Sequence, residues 1–276
     1  MITGTTRVAG VIGSPVRHSL SPVMHNAAFA EAGLDWVYAA FEVVPGAAGA
    51  ALAAMRSLGI AGLSVTMPHK DAVAAAVDTL DPAAAALGTV NTVVLQPDGA
   101  LAGYNTDGAG FIASLRDVGV DALGMCVAVL GAGGAARAVV DALTRSGAAD
   151  IVVINRSTDR GEIAARLAGP IGRVGAAADI AAADLVVNAT SIGMGTVELP
   201  CDVSLLHSAQ VVADLVYHPL QTELLRAAGA RGAMAVDGLG MLVHQAVLQQ
   251  QLWTGVRPNP AVMRAAAEQE LAARHR

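Results

Sequence analysis

The chain has 276 residues, enough for one large or two small domains and for a core that needs no covalent staples. Hydrophobic residues make up 54% and charged residues 14%, which excludes a disordered chain and a solvated coiled coil. With 17 Lys and Arg against 23 Asp and Glu the net charge is −6 without a basic block, so nucleic acid is not an expected partner.

In chain order, short β-branched runs alternate with alanine-rich stretches. Val8–Gly13 reads as a strand, Ser21–Gly33 as a helix, Val37–Val43 as a strand, Gly46–Leu58 as a helix and Leu63–Thr66 as a strand, with a helix starting over Lys70–Val77. The alternation predicts parallel βαβ units. Polar residues interrupt this half where core would be expected. Ser21 before Pro22 suits a helix N-cap, and with Ser19 it also suits an anion site at a helix N-terminus. In Leu63-Ser64-Val65-Thr66-Met67-Pro68-His69-Lys70 a strand ends at a proline turn, which leaves Thr66 and Lys70 at the C-terminal sheet edge, where open α/β sheets bind ligands. Asn91 precedes an apolar strand, and Thr106 and Asp107 are cap candidates for a helix over Gly110–Val118. Taken singly, each of these is an ordinary turn, cap or surface residue.

A second series follows, with strands at Cys126–Leu130, Ile151–Ile154, Leu185–Asn188 and Val211–Leu215. The first of them runs into Gly131-Ala132-Gly133-Gly134-Ala135-Ala136, which satisfies G-x-G-x-x-G/A with Ala136 in third place. Such a turn lets a pyrophosphate approach the backbone at a helix N-terminus. At the tip of the next strand an NAD site usually carries an acid. Here the chain reads Asn155-Arg156-Ser157-Thr158-Asp159-Arg160, and two guanidiniums with hydroxyls suit the 2′-phosphate of NADP. Two helices, Met241–Thr254 and Pro260–Arg274, close the chain. The uncharged stretch from Gly238 to Val256 holds His244, Gln245 and Gln249 to Gln251, which a bilayer core would not accept without partners. No membrane span is therefore expected, and with no basic region ahead of a long apolar run at the N-terminus no signal peptide is expected either. The two cysteines, Cys126 and Cys201, suit a reducing cytoplasm.

The domains expected from this pattern are residues 1–106 and 107–238, with residues 239–276 either capping the second or returning to the first. In order and spacing, Ser19-Leu-Ser21-Pro, Ser-Val-Thr66-Met-Pro-His-Lys70, Gly-Thr-Val-Asn91-Thr, Asn-Thr-Asp107-Gly, the glycine turn, Asn155-Arg-Ser, Asn188-Ala-Thr-Ser and Asp237-Gly-Leu-Gly-Met-Leu-Val-His-Gln245 resemble the shikimate dehydrogenase family. The likeness runs from about Val8 to Trp253. It implies an α/β fold in which an N-terminal substrate domain joins a Rossmann NADP-binding domain, with C-terminal helices returning to the substrate domain, so that residues 239–276 belong with 1–106. It further implies NADPH-dependent reduction of 3-dehydroshikimate to shikimate, on the route to chorismate and aromatic amino acids.

By position, the resemblance makes Lys70 and Asp107 the catalytic pair that handles the proton. Ser19, Ser21 and Tyr217 would grip the substrate carboxylate, and Thr66, Asn91, Asp107 and Gln245 would meet the ring hydroxyls and carbonyl. Gly131, Gly133, Gly134, Ala135, Asn155, Arg156, Ser157 and Arg160 would hold NADP, with Leu215 and Gly238 flanking the nicotinamide. No metal is expected, because the nicotinamide carries the redox step. Many relatives have asparagine where Ser64 stands and threonine where Ser157 stands, which bears on substrate preference more than on reaction type. Quinate-using relatives tend to carry an acid after the second Rossmann strand, and this chain has none there. A paralogue acting on quinate, an amino-shikimate or a related cyclic hydroxy acid is the alternative. A silent NADP-binding module is disfavoured by the Lys70 and Asp107 pair, and a methylene-tetrahydrofolate dehydrogenase by the serine pair and Gln245. A monomer and a homodimer both fit the sequence.

Overall fold

Each βαβ alternation builds its own sheet, and the chain forms two units, Met1–Thr106 with Val243–Arg276 (unit 1) and Asp107–Leu242 (unit 2). The structure is a computed structural model and describes residues 2–274.

Unit 1 contains β1 (Arg7–Gly13), α1 (Ser21–Glu31), β2 (Trp36–Glu42), α2 (Ala48–Leu58), β3 (Gly62–Val65), α3 (Lys70–Ala74), β4 (Thr79–Leu80), α4 (Pro82–Leu87), β5 (Thr92–Leu95) and β6 (Leu101–Tyr104). The strand order is β2-β1-β3-β5-β6-β4. β1 pairs in parallel with β2 and with β3, as the alternation predicts. The β3–β5 and β5–β6 pairs are antiparallel, which corrects the expectation of parallel βαβ units throughout. β5 and β6 are joined by a short turn through Pro97, Asp98 and Gly99, too short for the crossover that a parallel pair needs. One face of the sheet buries Leu63, Val65 and Val93 against Leu52 and Met55 of α2. The other buries Ala9, Val11 and Tyr38 against Phe29 of α1 and Trp253.

The start of α1 also differs from expectation. Leu20, not Ser21, is the N-cap, and Ser21 is the first helical residue, its N–H donating to Ser19 Oγ at 3.2 Å. Apolar Leu20 can hold this position because the Ser19 hydroxyl satisfies one of the orphan donors.

Unit 2 opens with α5 (Asp107–Asp117) and continues through β7 (Cys126–Leu130), α6 (Gly134–Arg145), β8 (Asp150–Ile154), α7 (Thr158–Ala165), β9 (Gly172–Val174), β10 (Leu185–Asn188), β11 (Val211–Asp214), α8 (Glu223–Ala230) and β12 (Met234–Val236). All pairs are parallel, in the order β12-β11-β10-β7-β8-β9. This is the doubly wound dinucleotide-binding order, with its switch point between β7 and β10. Strands covered on both faces read as continuous apolar runs, so Val127, Val129, Val187 and Ile151 are fully buried.

Two helices end the chain, α9 (Gly238–Thr254) and α10 (Pro260–Arg274). The unit boundary falls inside α9, between Leu242 and Val243, rather than before residue 239. Asp237 caps α9, its Oδ1 accepting from Leu239 N at 3.0 Å and Gly240 N at 3.2 Å. α10 packs along α1 in unit 1. Among the described residues no helix is long and apolar enough to cross a membrane.

Candidate active site

In unit 1 the chain leaves β1 toward β2 on one side and reaches β3 on the other, so the crevice of an open sheet lies at the C-terminal ends of β1 and β3. Ser19 and Ser21 follow β1, and Thr66 and Lys70 follow β3. Thr66 N donates to Ile12 O at 3.0 Å, which fixes Thr66 beside the end of β1. His69 is buried with Nε2 2.7 Å from the Val43 carbonyl oxygen, a structural use of that histidine. Its neighbour Lys70 begins α3 half-buried.

Asn91 is 2% exposed and works as a clamp. Its Nδ2 donates to Thr106 Oγ1 at 2.9 Å, and its Oδ1 accepts from Thr106 N at 2.9 Å and Thr92 Oγ1 at 2.7 Å. Thr106 Oγ1 in turn donates to the backbone oxygen of Gln245 at 3.2 Å. Ser19, Ser21, Thr66, Lys70, Asn91 and Gln245 thus all belong to unit 1, and Asp107 is the first residue of unit 2.

Beside this edge lies a buried relay that the sequence reading did not single out. The Tyr38 hydroxyl donates to Ser64 Oγ at 2.7 Å and also bonds Ser21; Ser64 Oγ donates to Gln249 Oε1 at 2.6 Å; Gln249 Nε2 donates to Asn91 O at 3.3 Å. Burial pushes the Tyr38 phenol upward, so it stays a hydroxyl donor. The His25 ring stacks on Tyr38 at 4.4 Å and its Nδ1 lies 3.1 Å from Gln250 Oε1. Gln249 was visible in principle, since it stands four residues after Gln245 and so on the same face of α9.

In unit 2 the strand β7 is followed by Gly131, whose φ of +107° suits glycine and whose N–H donates to Ile154 O at 2.9 Å. Gly133 is the N-cap of α6, and Gly133 and Gly134 are exposed, with open space where a Cβ would stand. Ala136 is fully buried against the core, and half-buried Ala135 precedes it. An open glycine backbone at a helix N-terminus is what a pyrophosphate needs. At the β8 tip Asn155 Nδ2 donates to Ser157 O at 2.8 Å, and Ser157 caps α7 by accepting from Arg160 N. Arg156 and Arg160 are exposed, and among the described residues neither forms an ion pair. The residues present therefore fit a dinucleotide carrying a 2′-phosphate. Leu215 follows β11, Tyr217 lies two residues further on, both half-buried, and Gly238 begins α9 beside the Leu215 carbonyl.

Two open α/β units, one with a polar sheet edge and one with a glycine turn and a basic strand tip, define the class of dinucleotide-dependent dehydrogenases. Residues 11–93 match the shikimate dehydrogenase substrate binding domain, residues 117–197 the shikimate / quinate 5-dehydrogenase family, and residues 238–268 the shikimate 5′-dehydrogenase C-terminal domain. The chain is 45% identical to a shikimate dehydrogenase (NADP(+)) of Moorella thermoacetica, over 95% of this chain and 92% of that one. A shikimate dehydrogenase solved with NADP+ superposes with a TM-score of 0.94 at 38% identity, covering 98% of both chains. The Thermus thermophilus shikimate 5-dehydrogenase solved with NADP(H) and shikimate gives a TM-score of 0.91 at 38% identity, over 96% of this chain and 99% of that one. The chain belongs to the shikimate dehydrogenase family.

Proposed function

We infer that the chain catalyses the reversible, NADPH-dependent reduction of 3-dehydroshikimate to shikimate in chorismate and aromatic amino acid biosynthesis. Unit 1 is the substrate domain and unit 2 the NADP domain. When bound, the dinucleotide supplies the hydride that reaches the carbonyl carbon. The protein supplies everything else. Gly131, Gly133, Gly134 and Ala135 cradle the pyrophosphate, while Asn155, Arg156, Ser157 and Arg160 take the adenosine 2′-phosphate. Leu215 and Gly238 are assigned to the nicotinamide. Ser19, Ser21 and Tyr217 are assigned to the substrate carboxylate, and Thr66, Asn91 and Gln245 to its ring oxygens. Lys70 and Asp107 hold and move the proton at the carbonyl oxygen, which becomes the product hydroxyl.

The observation that carries the reading is the Asn91 clamp. A buried amide fixes Thr106, the residue immediately before Asp107. The cytoplasmic setting is part of the proposal, and Cys126 and Cys201 are both free thiols. A paralogue acting on quinate is the second reading, favoured by the joint shikimate / quinate description of the family matched over residues 117–197.

The test crosses shikimate and quinate with NADP+ and NAD+ in a nicotinamide absorbance assay, for the natural chain and for Arg156→Ala. Preference for shikimate with NADP+ is expected, and Arg156→Ala should raise the NADP+ KM by roughly tenfold or more while leaving NAD+ use nearly unchanged. Turnover chiefly of quinate, or an equal effect of Arg156→Ala on both cofactors, would overturn the corresponding assignment.

A further inference from the structure

Asp214 ends β11 at 1% exposure, and among the described residues no cation is paired with it. Burying an uncompensated carboxylate is costly unless donors surround it. Three do. Oδ1 accepts from Asn188 Nδ2 at 2.8 Å and from Val216 N at 3.0 Å, and Oδ2 accepts from Thr222 Oγ1 at 2.7 Å. The donors come from three places: the end of β10, the loop after β11, and the N-cap of α8.

The network continues outward. Asn188 is fully buried, and its Oδ1 accepts from Thr190 N at 3.1 Å and Thr190 Oγ1 at 2.7 Å, while its Nδ2 also reaches Ile192 O at 3.1 Å. Thr190 Oγ1 accepts from Ile192 N, and the Thr190 methyl lies against Gly131 of the glycine turn. Leu215 N donates to Asn188 O at 2.9 Å. The loops after β10 and β11 and the start of α8 are therefore tied to one side chain. An amide could keep all three bonds, since the Thr222 hydroxyl can accept as well as donate, whereas an apolar side chain of similar size would leave Val216 N and the Thr222 hydroxyl without an acceptor.

We infer that Asp214 is a positioning residue for the reaction: its carboxylate sets the backbone of residues 215–217 and through it Leu215 and Tyr217, which flank it in the chain. The inference rests on the proposed function for its catalytic consequence, though not for the clamp itself. Misplacement of a reacting group by about 1 Å costs roughly 10²-fold, so a slack loop shows in turnover before it shows in affinity.

The test compares Asp214→Leu, Thr222→Ser and Thr222→Val in the full chain. Amide hydrogen exchange reads the clamp, NADPH titration by fluorescence reads affinity, and kcat with its isotope effect from NADPH deuterated at the transferred position reads positioning. Asp214→Leu should speed exchange over residues 215–217 and lower kcat by roughly 10- to 100-fold, with a larger isotope effect and an NADPH Kd within about twofold. Thr222→Ser keeps the hydroxyl and should behave as the natural chain, whereas Thr222→Val should move the same way as Asp214→Leu. If Asp214→Leu does not fold, the two Thr222 variants decide. Unchanged exchange, an unchanged kcat and isotope effect, or a loss of NADPH affinity equal to the loss of kcat would overturn the inference. A natural chain inactive on shikimate would sink the proposed function, and the exchange arm would still decide whether the clamp exists.

Discussion

Lys70, which the proposed function assigns to the proton, is placed by the backbone around it. It follows the turn after β3, heads α3, and its own carbonyl accepts from Val90 N at 3.1 Å, one residue before the clamp at Asn91. Its backbone is thus fixed, and the residue as a whole is half-buried. Lys70→Ala should cut turnover by roughly 10²-fold or more with NADPH affinity nearly unchanged, since unit 2 carries the dinucleotide. Steady-state kinetics with a parallel binding titration checks this, and near-normal turnover would remove Lys70 from the chemistry. Ser64 is the opposite case. Its hydroxyl is used inward, between Tyr38 and Gln249, so the position serves the relay rather than presenting a free group.

At the scale of elements, α9 reaches the sheet of unit 1 at Gly62. A Cβ there would collide with the Trp253 ring, and Trp253 Nε1 donates to Val93 O at 3.1 Å. Helix and strand meet at this distance only because the strand position has no side chain. Gly62→Ala should cost about 1–3 kcal/mol, as other overpacked sites do, and should leave NADPH binding by unit 2 intact. Urea unfolding beside a binding titration reads both, and an unchanged urea midpoint would show that the contact is not tight. The elements themselves were unevenly legible in sequence. Cys126–Leu130, Leu185–Asn188 and Pro260–Arg274 match the structure to the residue, because unbroken apolar runs or a helix-starting proline mark their ends. β6 was missed, although the Asp98-Gly99 turn between two apolar runs is a hairpin signal. β4 and β9 are too short to carry a period. In the site, the glycine turn and basic tip were legible because local spacing encodes them. The Tyr38 relay and the Asp214 clamp were not, because Tyr38 and Ser64, Ser64 and Gln249, and Asn188 and Asp214 stand 26 or more residues apart and only the fold brings them together.

For the whole molecule, the response to acid follows from His25. It is fully buried among Tyr38, Phe29 and Trp253, and burial pushes its imidazole down from 6.5 to about 4. The folded chain therefore refuses a proton that the unfolded chain accepts below about pH 6.5. Stability is unaffected above that pH and is lost as pH falls through the window from 6.5 to about 4, by up to about 3 kcal/mol. Urea midpoints measured between about pH 7 and about pH 4.5 should fall less steeply for His25→Gln than for the natural chain. Parallel slopes would assign the acid sensitivity to other groups.

The boundary inside α9 also sets a timetable for synthesis. Unit 2 is one continuous stretch and leaves the ribosome complete once Leu242 has emerged. Unit 1, begun first, must wait for Gln249, Gln250 and Trp253, the last-made residues that reach its sheet, its relay and its buried histidine. A nascent chain stalled at that point carries a finished second half and an uncovered apolar sheet in its first half, the kind of surface that chaperones and proteases recognise. Of the two units, the one whose translation starts first is thus the one sealed later.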